Sequence, residues 1–104
     1  MSIFVDIFLC LPAKIEYGDW IMIEFRRDAV SAVIRKIRLD KNLSQEVVSG
    51  LAGIARSHLA MIETGAKLPN FETIWAIANA FEIKPHVLVA LIEQEAAKIE
   101  QERK

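Results

Sequence analysis

Twenty-seven residues near the middle of the chain, Ser44 to Asn70 (SQEVVSGLAGIARSHLAMIETGAKLPN), limit its architecture more than any other feature. Small or apolar residues fall at Val48, Ser49, Ala52, Ile54, Leu59 and Ile62, and Gly53 sits between two short helix-forming runs. Ser44 can cap the first run by accepting from an orphan amide of its opening turn. Glu46 places negative charge at the positive end of that helix. Val48 and Ala52, four apart, share a face. Ser49 is small enough for a second helix to cross close by. Gly53 can take the positive φ that ends a helix and reverses the chain. Ile54 plugs the corner, Leu59 and Ile62 form the buried stripe of the second helix, and Gly65 ends it. The expected arrangement is two helices, at 45–52 and 56–63, crossing at a tight turn.

Flanking segments supply the rest of an all-helical unit. Val30, Val33, Ile34 and Ile37 recur at helical spacing between Asp28 and Lys41, and Asn42 can stand in for a left-handed terminal glycine. Asn70 is placed to cap a fourth helix whose Ile74, Ile77, Ala78 and Phe81 face inward. Glu82-Ile83-Lys84 forms a link, and Pro85 suits the first turn of a fifth helix. That helix becomes strongly charged after Ile92, so its end is expected to fray. There is no internal repeat and no low-complexity segment.

Composition narrows the function classes. The chain has 104 residues, 53% of them hydrophobic and 26% charged, as expected of one small globular domain. Its formal net charge of −1 argues against a protein coated in nucleic acid. The charge is uneven, however. Residues 26–86 hold nine Lys or Arg against six Asp or Glu, whereas residues 1–25 hold one Lys against four acids. One cysteine, Cys10, excludes an internal disulfide, and two histidines without a Cys/His cluster make a zinc site unexpected. The sequence has no run of about 18 apolar residues, so no transmembrane helix and a cytoplasmic location are expected. No glycine-rich phosphate loop, paired carboxylates or nucleophile–base spacing points to an enzyme or a cofactor.

Ile34-Arg35, Arg38, Leu43-Ser44-Gln45, Ala52-Gly53, Ile62-Glu63, Gly65 and Pro69-Asn70 stand in one register. Over Ile34–Phe81, about half the chain, the sequence resembles the Cro/repressor-type, XRE-like helix-turn-helix family. Its pattern is I-R-x-x-R, then L-S-Q, small residues, A-G, I-E-x-G and a P-N or P-S helix start. The resemblance implies an all-α, five-helix, lambda-repressor-like domain that lays its third helix in the DNA major groove. It implies base contacts from Arg56 and Ser57, with Ala60 and Met61 one turn later on the same face. Arginine can pair bidentately with guanine. The family often carries polar or basic side chains where this chain has Ala60 and Met61; here they would pack on a thymine methyl or leave a gap. Gln45 resembles the family's phosphate-contacting glutamine; His58, Thr64, Lys67 and Asn70 are further phosphate candidates, Asn70 with capping as its alternative role. Arg38 and Glu63 correspond to a structural ion pair. Arg35, Lys36 and Lys41 read as a solvated face.

The remaining segments carry partner expectations. Residues 26–84 form the helix-turn-helix core and 85–104 a C-terminal helix expected to mediate dimerisation. Family members usually pair, so that two recognition helices meet major grooves about 34 Å apart on a palindromic operator. Trp75, Leu88, Leu91 and Ile92 are the expected homodimer surface; the alternative is that they complete the core of one chain. Residues 1–25 form an N-terminal extension with two open readings. Either they make a β-hairpin or dimer arm around the Tyr17-Gly18-Asp19 turn, or Met22 is the biological start and residues 1–21 are an upstream, disordered extension. The expected function is a transcriptional regulator, a homodimeric repressor, that binds double-stranded DNA sequence-specifically; the alternative is an antitoxin that covers a toxin and represses its own operon.

Overall fold

The computed structural model describes residues 23–103. The expectations for the N-terminal extension before Ile23 lie outside the described residues. Five helices follow in order: α1 (Arg27–Asp40), α2 (Gln45–Ala52), α3 (Arg56–Thr64), α4 (Phe71–Ala80) and α5 (Pro85–Glu102), with no strand among the described residues.

The joints between the helices follow from local chemistry. Ser44 Oγ accepts from the Val47 amide, and Asn70 Oδ1 accepts from that of Thr73. Each cap satisfies one donor that the helix start leaves orphaned. α1, α2 and α4 each end in the same left-handed turn, at Asn42 (φ 57°), Gly53 (φ 73°) and Glu82 (φ 61°). In each, the following amide reaches back to the helix: Leu43 to Arg38, Ile54 to Ser49 and Ile83 to Ala78, all at 3.0–3.1 Å. One carbonyl in the last turn of each helix is thereby paired by the backbone. Glu82 was not expected in this role.

α2 packs on α3 and α4, and α1 packs on α3 and α5. Val48, Leu59, Ile62, Ile77, Phe81, Ile34 and Leu88 are the large side chains fully buried where these helices meet. Each contributes about 1.5–3 kcal/mol by leaving water, so this cluster fixes the angle between α2 and α3. Ser49, 3% exposed, donates to the Glu46 carbonyl at 3.1 Å. α4 and α5 meet at 105° across the 81–84 link.

One expectation is corrected by the structure. Leu88 is fully buried in the core of one chain and cannot belong to a subunit surface. α5 continues as helix to Glu102. Ala96 is buried, and Glu100 Oε1 takes Arg26 Nη1 at 3.2 Å, so the C-terminal half of α5 is tied to the start of α1.

Candidate nucleic-acid interface

α3 presents its beginning and anchors its end. Ala55, at the N-cap, makes no side-chain cap bond, and Arg56 and Ser57 on the first turn are exposed. One turn on, Ala60 is half-buried and Met61 is exposed. Leu59, Ile62 and Glu63 form the opposite, buried face. The helix therefore shows an arginine, a hydroxyl and a thioether along its outer side while its inner side is held in the core.

The anchoring end is a buried ion pair. Arg38 Nε donates to Glu63 Oε2 at 2.7 Å, and Nη2 donates to Oε1 at 3.0 Å, a two-pronged contact between α1 and α3. The side chains are 11% and 1% exposed, respectively. Hydrogen bonding to Glu63 raises the Arg38 pKa above its ordinary value, against the opposing effect of burial. Arg38 Nη1 also donates to the Leu43 carbonyl at 2.8 Å, closing the α1–α2 turn.

The phosphate candidates are placed unequally. Gln45, half-buried at the first position of α2, donates from Nε2 to Glu63 Oε1 at 3.1 Å. His58 is half-buried and Lys67 is exposed. Thr64 Oγ1 donates to the Met61 carbonyl at 3.1 Å and accepts from the Ala66 amide at 3.4 Å, so it shapes the end of α3. Asn70 caps α4, which occupies its side-chain oxygen.

Several contacts had no sequence signal. Arg26 joins Asp28 at 2.9 Å and Glu100 at 3.2 Å, the latter 74 positions away. Arg27 Nη1 lies 3.5 Å from the Gly65 carbonyl. An apolar cleft of about 300 Å³ opens between the start of α1, α4 and α5, lined by Phe25, Val30, Phe71, Ile74, Val89 and Ile92 among others. Phe71 and Trp75, exposed beside it on α4, meet edge to face with ring centres 6.0 Å apart. Leu91 is at the margin of exposure, and Ile92 packs partly into the core.

Two crossed helices around a left-handed glycine, with the second exposing its first turn and the whole framed by three further helices, define a helix-turn-helix domain. The profile of the helix-turn-helix family HTH_3 matches residues 34–88, and the chain belongs to that family of XRE-type, DNA-binding transcription regulators, which are not enzymes. Solved structures agree. The restriction-modification controller protein C.AhdI from Aeromonas hydrophila is 31% identical, covering 60% of this chain and 94% of its own, with a TM-score of 0.57. A point variant of C.Esp1396I, bound to its highest-affinity operator site, is 26% identical, covering 71% and 97%, with a TM-score of 0.66. An HTH_3 family transcriptional regulator from Vibrio cholerae is 25% identical, covering 65% and 38%, with a TM-score of 0.59. No curated protein matches the chain. Among the described residues, no single helix is long and apolar enough to cross a membrane.

Proposed function

We propose that the protein is a cytoplasmic homodimeric repressor that occupies a palindromic double-stranded operator. The observation that carries this reading is the polarity of α3: an exposed Arg56-Ser57 start opposite an end pinned by Arg38 and Glu63. Arg56 and Ser57 read base edges, and Ala60 and Met61 add apolar contact. Gln45, His58 and Lys67 meet the DNA backbone, with lesser parts for Thr64 and Asn70, whose side chains already serve local turns. Residues 26–84 act as the DNA-reading unit. The 85–104 segment, with Trp75, supports pairing through Leu91 and Ile92. The exposed Phe71, Trp75 and Val89 favour an apolar partner surface there. An antitoxin would use the same surface to hold a toxin.

Selection of bound duplexes from a random-sequence pool, with the unaltered chain and with Arg56→Ala, tests the reading. The variant should lose preference at one base position, at about 1–3 kcal/mol. An unaltered chain that enriches no sequence and ignores duplex DNA in dilute buffer overturns it. A basic toxin co-purifying with the chain in place of a dimer would shift the assignment to the antitoxin.

A further inference from the structure

Gln45 stands at the open end of α2, yet its side chain is engaged. Its Nε2 donates to Glu63 Oε1 at 3.1 Å, joining the beginning of the motif's first helix to the end of its second. The Glu63 side chain is 1% exposed, so this carboxylate has no competing water shell. A carboxylate is an acceptor only. The carboxamide must therefore turn its NH2 toward Glu63 and its carbonyl elsewhere.

The carboxylate cannot swing to follow the glutamine. Both of its oxygens are gripped by Arg38, at 2.7 Å and 3.0 Å, and the same guanidinium holds the Leu43 carbonyl two residues before Gln45. α1 thus fixes Glu63, and Glu63 fixes a side chain on α2. An NH2 group has two hydrogens, and Glu63 takes one. A glutamine free to rotate would present its carbonyl oxygen as readily as its amide, and an oxygen repels an anion.

We infer that Glu63 is a positioning residue for nucleic-acid binding: it orients the Gln45 carboxamide so that a hydrogen-bond donor, not the carbonyl, is available to a backbone phosphate. The inference rests on the proposed phosphate role of Gln45 and adds what sets its orientation. It gives the buried ion pair a part in binding besides holding α1 to α3. A phosphate contact fixes the register of the recognition helix on the duplex, so the effect reaches base reading indirectly.

The test follows the Gln45 side-chain NH2 signals of the full ¹⁵N-labelled chain as the duplex recovered by the selection above is added. One hydrogen should be protected from solvent exchange before DNA is present, and the other should shift on binding. Affinities of the unaltered chain, Gln45→Ala, Glu63→Gln and the double variant complete the test. Each single variant should bind about 5-fold more weakly, the scale of one lost hydrogen bond. The double variant should bind no more weakly than Gln45→Ala alone. If Glu63→Gln lowers affinity by the same factor in both backgrounds, its role is only structural and the inference is overturned. If Arg56 signals move with DNA while the Gln45 NH2 does not, the inference fails and the DNA-binding reading stands. If neither moves, that reading has failed and takes the inference with it. Should Glu63→Gln not fold, the signals of the unaltered chain decide the matter alone.

Discussion

Glu63 is a carboxylate taken almost wholly out of water, and Arg38 is the group that makes this tolerable. Replacing Arg38 by Met keeps the stem but leaves the charge stranded, with only Gln45 as donor. Unfolding in urea should show a loss of about 3–5 kcal/mol for Arg38→Met. The pair Arg38→Met with Glu63→Leu should recover most of it, because the uncompensated charge is gone. Equal stability of the single variant and the unaltered chain would mean that the pair is held loosely in solution. Asp28 offers a milder case at the surface. The hydrogen bond from Arg26 holds its carboxyl below the ordinary value of 3.8. The folded form therefore gains stability above that value and loses it as pH falls through the lower folded one. Asp28→Asn should lower stability slightly at neutral pH, where the charged carboxylate contributes, and make no difference at the acid end, so that the stability–pH curve is flatter below about pH 4. Little of this was readable beforehand. Arg38 and Glu63 came from the register of a known motif, but Gln45's tie to Glu63 did not, because a hydrogen bond across 18 positions leaves no periodic trace.

Helices were far more legible than their contacts. The apolar spacing, Ser44, Gly53, Asn70 and Pro85 each act over a few residues, so the starts of α2, α4 and α5 and the α2–α3 turn follow from neighbouring side chains. Asn42 was anticipated in the left-handed conformation for the same reason. Glu82 was not, since glutamate has no preference for it; the chain adopts φ 61° there because α4 must end and turn by 105° into α5. Glu82→Gly should relieve this conformation and raise stability by about 0.5–1 kcal/mol, read as a higher thermal midpoint. A lower midpoint would show that the Glu82 side chain contributes something that offsets its backbone. The length of α5, which reaches Glu102, has both a local and a tertiary cause. Its last turns are rich in the helix formers Ala, Glu, Gln and Lys, and packing adds to this local preference: Ala96 packs inward and Glu100 meets Arg26.

The described residues have one face proposed for a duplex and a second, apolar face where Phe71, Trp75 and Val89 are exposed. Leu88 and Leu91 lie three positions apart on α5, the first fully buried and the second at the margin of exposure. Leu88→Glu should unfold the chain, because it places a charge in the core. Leu91→Glu should leave the fold intact and lower the sedimenting mass toward that of one chain. It should also weaken duplex binding, since two linked half-sites bind more tightly than one. An unchanged mass for Leu91→Glu would move the subunit contact elsewhere.

Helix boundaries, the left-handed turn at Gly53 and the helix-turn-helix family were written in the order of the residues, because spacing and capping are short-range and repeat along the chain. Packing alone assigned Leu88 to the interior, tied Arg26 to Glu100 and set Gln45 against Glu63. Those relations join positions far apart in the chain, and no local preference of either partner specifies the other; they exist only once five helices have closed around a shared core.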